Sequence, residues 1–332
     1  MPRLRRSDCT GDGIRRRRRG RGFSYEDSGG ERIDDEETLE RIRTLAIPPA
    51  WADVWVCLDP LGHLQATGID VAGRKQYLYH EHWHRRAAEQ KFESVRDFAR
   101  ALPRLRRRVG ADLKLEEIPR ERAVACAVRL LDLGFFRVGG EEYAEENGSF
   151  GVATVRREHV TIERGEMTFD FPAKSGVQRI QSVRDPASRA AIEKMWRRRS
   201  GPSDLIAFHD RGGWHDIRAE DINTYIKTVV GEQFSAKDFR TWHGTVLAAV
   251  ELARAAPATS KSGREKRVRA AIEAVAEQLG NTPAVCRSSY VDPRLIERFH
   301  QGRTIPVPKL TKGRLSETAR RRIELAVLDL LG

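Results

Sequence analysis

The feature that most limits the fold is a change of hydrophobic period near His82. Before it come three short strand-like runs, Val54–Leu58, Leu64–Thr67 and Gln76–His80. The first two are joined by Asp59-Pro60-Leu61-Gly62, which places Pro and Gly as a type I or II turn prefers, and the third follows Gly73. After His82 the texture is helical. The pattern predicts an α+β chain: a small antiparallel sheet, then a larger, mainly α-helical domain with a β-hairpin. At roughly 150 residues per domain, 332 residues suit about two domains. The expected divisions are a disordered Arg-rich tail over 1–22, a sheet domain over 23–98 and a helical domain over 99–332.

Local signals place the pieces. Residues 34–46 read as a short helix with an acidic start, stopped by Pro48-Pro49. The helix from His82 is expected to break at Pro103. From Pro119, Ala123–Leu133 reads as a buried helix stopped by Gly134. Residues 159–171 alternate around Arg164-Gly165, a period-2 hairpin. After Gly176 the chain is expected to be mostly helical. Ser235 and Asp238 form a capping box opening a helix to about Arg254. Arg264–Leu279 is a helix closed by Gly280. Thr282-Pro283 and Asp292-Pro293 each open a short one, the first ending near Tyr290. A C-terminal helix from about Leu315 to Leu330 carries Leu315, Ala319, Ile323, Ala326 and Leu330 on one stripe, so it is expected to be docked.

Charge narrows the partner. The net charge is +12, unevenly spread. Residues 1–22 hold nine arginines against Asp8 and Asp12. Residues 23–46 hold eight acids against Arg32, Arg41 and Arg43. The remaining 286 residues carry +10. A basic body with a more basic leading segment points to a polyanion. No apolar run is long enough to span a bilayer, and no secretory h-region leads the chain, so a cytoplasmic protein is expected. The four cysteines lack CxxC spacing, which suits a reducing compartment. His80, His82 and His84 alternate at a strand-to-helix junction where no face presents three metal ligands. No phosphate-binding Gly loop and no Gly-x-Ser-x-Gly elbow occurs. Neither a metal nor a cofactor is expected.

What remains is a set of isolated cations at element ends: Arg137, Lys174, Lys237 and Arg240, with Tyr290 at a helix end. In their motifs, RVGGEEYAEENGSFG, KSG, KDFRTWHGT and LGNTPAVCRSSY, the chain resembles type IB DNA topoisomerases in the compact, poxvirus-like bacterial form. IPPAW, DPLGHLQATGID and GRKQYLYH resemble that family's N-terminal domain. The resemblance runs from about residue 23 to about residue 300, with the motifs in the family's order.

The resemblance implies an enzyme that closes as a clamp around duplex DNA and needs no ATP or metal. It relaxes supercoils through a transient 3′-phosphotyrosyl link, strand rotation and religation. By match, Tyr290 is the nucleophile, Arg137 and Arg240 bind the scissile phosphate, and Lys174 protonates the leaving 5′-oxygen. Asn281 stands where poxvirus relatives use His. Arg74, Lys75, Gln76, Tyr77, Tyr79, Tyr143 and Lys237 match DNA-contacting positions. Gly140 and Glu141 depart from the Asn or Lys of many relatives. The partner implied is double-stranded DNA, with the enzyme a monomer associated with the nucleoid.

The residue types suit that chemistry independently. A phosphoryl transition state gathers negative charge on its non-bridging oxygens, and guanidiniums meet it with fixed, directional donors. A free phenol is only about 0.1% ionised at neutral pH, and nearby cations favour its phenolate. Two other readings are a tyrosine recombinase and an architectural DNA-binding protein. Recombinases typically carry His-x-x-Arg in the second arginine box, where this chain has Lys237-x-x-Arg240. The architectural reading leaves Lys174 and Tyr290 unexplained.

Overall fold

The computed structural model describes residues 3–255, 260–306 and 317–332, leaving aside the side chains of Tyr143 and Ser175. The chain divides into two compact units between Phe92 and Glu93, six residues before the division expected from sequence.

The first unit is built on a five-stranded antiparallel sheet of order β2-β1-β3-β4-β5. Its elements are β1 (Ile14–Arg19), β2 (Gly22–Glu26), helix α1 (Glu36–Thr44), β3 (Ala52–Val56), β4 (Leu64–Ile69) and β5 (Lys75–Tyr79). Side-chain alternation follows the register. Ile14, Val56, Ala66 and Leu78 pair across successive strands and so share one face. That face forms the core beneath α1, closed by Ile42 and Ile47.

Within the segment 1–22, expected to be a disordered tail, residues 14–19 form a strand. Its arginine run is β1, paired with β2 on one side and β3 on the other. Ile14, 1% exposed, anchors the strand in the core. Arg16 turns inward, stacks on Phe23 at 4.1 Å and donates to the carbonyls of Pro48 and Trp51, the latter at 2.6 Å. Only that one arginine of the run is tucked in, and carbonyl oxygens meet its charge. Compositional bias concealed an ordinary strand.

Helix α2 runs Glu81–Asp112, straight through Pro103. The expected break does not occur. Phe98, Leu102, Leu105 and Val109 are all buried on a stripe that crosses the proline. Burying that stripe outweighs the roughly 3 kcal/mol that an interior Pro costs. The second unit continues with α3 (Arg120–Gly134), α4 (Glu141–Asn147), β6 (Val160–Glu163), β7 (Glu166–Pro172), β8 (Gln178–Val183) and α5 (Pro186–Trp196). Then come β9 (Ala207–Asp210), β10 (Gly213–Asp216), α6 (Ala219–Val230), α7 (Ala236–Arg254), α8 (Lys261–Leu279), α9 (Pro283–Ser289), α10 (Pro293–His300) and α11 (Glu317–Leu331).

After Gly176 the described residues are mostly helical, as expected, with the short strands β8, β9 and β10 among the helices. The strand β8 is an edge strand, with Ile180 mostly exposed, so it carries little apolar alternation to read. The β6–β7 turn at Arg164-Gly165 has positive φ at both residues, as a two-residue hairpin loop requires. Gly134 is the last residue of α3 and not its left-handed stop; Phe135 takes that conformation at φ 55°. A side chain at Gly134 would meet the Phe136 ring at 2.1 Å, so close packing requires glycine there.

Helix α11 packs on α7 and α10. Of the expected stripe, Ile323 and Leu330 are buried, while Leu315 lies outside the described residues. The helix also carries ion pairs the stripe did not reveal. Arg106 of α2 pairs with Asp132 at 2.9 Å and Glu324 at 2.6 Å, and Arg320 reaches Asp132 at 2.7 Å. Arg320 also meets His243 Nε2 at 2.8 Å. Burial raises the Asp132 and Glu324 carboxyls, but their arginine partners outweigh it and hold both below their ordinary values. Burial holds His243 below its ordinary 6.5. All three groups bind protons more weakly folded than unfolded. Their stabilisation is therefore complete above about pH 6.5 and is lost as pH falls, first through His243 and then, below about 4, through the carboxylates. Thermal melts should show Tm falling on acidification. In Arg106→Met the melt at neutral pH should drop by an amount matching about 3–5 kcal/mol. An unchanged melt would remove the network from the stability argument.

Candidate active site

The candidate site lies where α3 ends, the β7–β8 turn folds over, and α8 and α9 meet α7. Phe135 bends the chain out of α3, and Phe136 locks the exit by packing on Phe169 and Phe171 of β7. Arg137 follows, its carbonyl accepting from Val152 N at 2.9 Å. Its guanidinium Nη2 donates to Asn281 Oδ1 at 2.5 Å and Gly280 O at 3.3 Å. Arg240 lies on the buried face of α7 beside Phe239 and Trp242, only 4% exposed. It donates through Nη1 to Phe135 O at 2.5 Å and through Nη2 to Leu279 O at 2.7 Å.

Tyr290 closes α9. Thr282 caps that helix by accepting from Val285 N, and Pro283 fills its first position. Cys286 and Val291, both fully buried, pin the segment on either side of the tyrosine. Thr245 of α7 donates to Tyr290 O at 3.3 Å and accepts from Asp292 N at 3.1 Å. Gly244, one residue earlier, lets α7 pass close by: a Cβ there would lie 2.6 Å from Tyr290 O. The Arg240 guanidinium sits 5.3 Å from the Tyr290 ring centroid. Burial raises the phenol's pKa, yet Arg240 and Arg137 outweigh it and leave it below the ordinary 10.0. Burial in turn, with Arg137 nearby, lowers Arg240 to about 10, still a cation at neutral pH.

Lys174 sits in the turn between β7 and β8, held by Ala173 N donating to Val177 O at 2.8 Å. Its side chain is exposed. It lines a small cavity of about 30 Å³ together with Arg137, Arg179 and Arg240. A wider cleft of about 630 Å³ next to it is lined by Arg137, Lys174, Asn147 and Ser149 among others. Among the described residues, no carboxylate lines either space. Asn281 Nδ2 is buried without a partner, a donor left over beside the cations.

The structure therefore brings Arg137, Lys174, Arg240, Asn281 and Tyr290 together, although they span more than 150 positions. It does not bring Lys237 to the cavity wall; that side chain is exposed in the first turn of α7. The backbone of Tyr143 lies in α4, and its side chain is outside the described atoms. In the first unit, Lys75, Tyr77 and Tyr79 share one face of β5, with the two tyrosine rings 6.2 Å apart. Gln76 belongs to the opposite face and donates to Asp70 at 2.8 Å, and Arg74 donates to the same carboxylate at 3.1 Å.

Comparison with known proteins agrees with this geometry. Residues 80–302 match the family model described as eukaryotic DNA topoisomerase I, catalytic core. Residues 22–70 match that of the bacterial DNA topoisomerase IB N-terminal domain. DNA topoisomerase 1B of Acanthamoeba polyphaga mimivirus is 32% identical over 295 residues, 87% of this chain and 88% of its own. The chain belongs to the type IB DNA topoisomerases. DNA topoisomerase 1B of Vaccinia virus (strain Copenhagen) is 26% identical over 149 residues, 43% of this chain and 47% of its own. DNA topoisomerase 1 of Schizosaccharomyces pombe is 28% identical over 165 residues, 49% of this chain and 19% of its own. The chain is thus an isomerase acting on DNA. Among the described residues, no helix is long and apolar enough to cross a membrane.

One cation of the small cavity, Arg179, is absent from the residues expected from sequence. Arg179 of β8 donates to Gln278 O and, at 2.9 Å, to Gln181 Oε1. Three successive carbonyls at the end of α8, those of Gln278, Leu279 and Gly280, thus accept from Arg179, Arg240 and Arg137 in turn. A helix C-terminus carries partial negative charge, so it is a natural support for clustered guanidiniums. Burial and Arg137 lower the Arg179 pKa. Its signal in the sequence is weak, because β8 is an edge strand with little apolar alternation.

Proposed function

We propose that this topoisomerase cuts one strand of duplex DNA with Tyr290 and reseals it by the reverse reaction. The phenolate oxygen of Tyr290 forms a bond to the scissile phosphorus, and the bond to the 5′-oxygen breaks. Arg137 and Arg240 bind the non-bridging oxygens, Asn281 adds the donor at Nδ2, and Arg179 adds positive potential beside them. Lys174 gives its proton to the departing 5′-oxygen, and takes it back when the 5′-hydroxyl returns. The 3′-phosphotyrosyl ester keeps the bond energy of the broken link, so the cycle needs neither ATP nor a metal. What supports this reading above all is that Arg137, Lys174 and Arg240 line one small cavity with Asn281 and Tyr290 beside it.

Lys75, Tyr77 and Tyr79 present one face of β5 to the DNA, with the strand lying in the major groove. Arg74, Gln76, Tyr143 and Lys237 add contacts, the first two on release from Asp70. Each unit grips the same duplex, as the two parts of a clamp. The enzyme works as a monomer in the cytoplasm, on the nucleoid.

The leaving group provides the test. Lys174→Ala should slow single-turnover cleavage of an ordinary duplex by about 10²–10⁴-fold. A duplex with sulfur in place of the bridging 5′-oxygen expels a thiolate, whose conjugate acid has a pKa of about 8.5, and needs no proton donor. The variant should cleave it nearly as fast as the wild type does. Equal slowing on both substrates would take the general acid away from Lys174.

A further inference from the structure

The arginine run over residues 15–19 takes no part in the reaction just described. Paired residues in an antiparallel sheet project to the same side, and Arg15 pairs with Trp55, Trp55 with Thr67, and Thr67 with Tyr77. Arg15, and by alternation Arg17 and Arg19, therefore stand on the face of the sheet that carries Lys75, Tyr77 and Tyr79. Arg16, on the other face, is taken up by Phe23 and the carbonyls of Pro48 and Trp51. Arg15 is exposed, and the side chains of Arg17 and Arg19 are 61% and 71% exposed. Among the described residues, Glu26 pairs with Arg17 at 2.8 Å and Arg19 at 3.6 Å. With both arginines mostly exposed to screening solvent, such pairs contribute little and exchange for another anion. Between β1 and β5, the segment before Gly13 crosses the same face over Trp55 and adds the exposed Arg3, Arg5 and Arg6.

We infer that Arg15, Arg17 and Arg19 form a ridge that binds the phosphate backbone of the duplex, beside the groove entered by β5. Two lengths support it. Alternate residues of a strand advance about 6.8 Å, close to two base steps of B-DNA at about 3.4 Å each. The sheet order places β1 three strands from β5. That is about 14 Å, just beyond a major groove about 12 Å wide, where the bounding phosphates lie. The inference rests on the reading of β5 as the groove-facing strand. It adds a contact class with no base specificity, which lengthens the footprint and strengthens binding to any sequence.

Arginine-selective modification of the whole protein with phenylglyoxal, mapped by peptide mass, tests the ridge without altering the fold. A 24-base-pair duplex should protect Arg15, Arg17 and Arg19 and leave Arg18, on the opposite face, reactive. Binding isotherms against salt give the second readout. With Arg15, Arg17 and Arg19 all changed to Ser, the slope of log K on log salt should fall by about 2–3, at about 0.9 per phosphate. The wild-type advantage should then shrink by about fifteenfold to sixtyfold between 50 and 200 mM salt. If the bound duplex left all three arginines reactive to phenylglyoxal while protecting Lys75 from an amine-selective acetylating reagent used in parallel, the ridge would be wrong and the groove reading would stand. If the β5 face were unprotected as well, both would fall.

Discussion

Tyr290→Phe is expected to abolish both plasmid relaxation and the denaturation-resistant DNA adduct, while duplex affinity stays within about threefold of wild type. The substitution removes one oxygen and keeps the ring against Arg240, which lies 5.3 Å from its centroid. The backbone anchors through Thr245 do not involve the hydroxyl. The wild-type protein should relax supercoiled plasmid in the presence of a chelator, which a recombinase acting on paired sites or an architectural protein would not do. Cleavage should also report the cations around the phenol. Because Arg240 and Arg137 outweigh burial and hold Tyr290 below 10.0, the rising limb of the pH–rate profile should lie below that of a free phenol. Peptide mapping of the trapped adduct gives the decisive reading: any tyrosine other than the one before Val291 would sink the assignment.

Arg137→Ala and Arg240→Ala are each expected to slow single-turnover cleavage by about 10²–10³-fold or more, the usual cost of losing one preorganised donor to a developing oxyanion. The two should differ in stability. Arg137 leaves only Gly280 O and Asn281 Oδ1 without a donor, at the mouth of an open cleft. Arg240 is buried, and its loss strands the carbonyls of Phe135 and Leu279. Arg240→Ala should therefore also lower the melting temperature, by an amount matching about 1–3 kcal/mol. Arg240→Lys should recover much of the stability and little of the rate, since one ammonium cannot bridge two carbonyls and a phosphate oxygen together. Arg179→Ala should cost less, about tenfold, because its guanidinium adds potential beside the phosphate. Wild-type rates in both Arg137→Ala and Arg240→Ala would remove the phosphate clamp.

Much of this was legible in order along the chain. The helix ends at the candidate site have local signatures: the Ser235–Asp238 box opens the helix of Arg240, Gly280 closes α8, and Thr282-Pro283 starts the two turns that end at Tyr290. The residues gathered at the candidate site were legible too, through motifs that resemble those of the type IB topoisomerases. Illegible were features whose cause lies elsewhere in the molecule. Pro103 sits inside a helix because a buried stripe holds it there. The arginine run is a strand because Ile14 and Arg16 find a core and a set of carbonyls.

The sequence by itself determined which residues could do the chemistry and which helix ends would carry them, since caps, turns and side-chain type act within a few residues. Only the tertiary structure decided that the end of α8 gathers three arginines on three consecutive carbonyls, and that three of the five residues of a charged run face the same way as two tyrosines sixty positions later. Both are matters of pairing between distant segments. Register and helix packing are fixed by burial of the whole core, which no local pattern of residues contains.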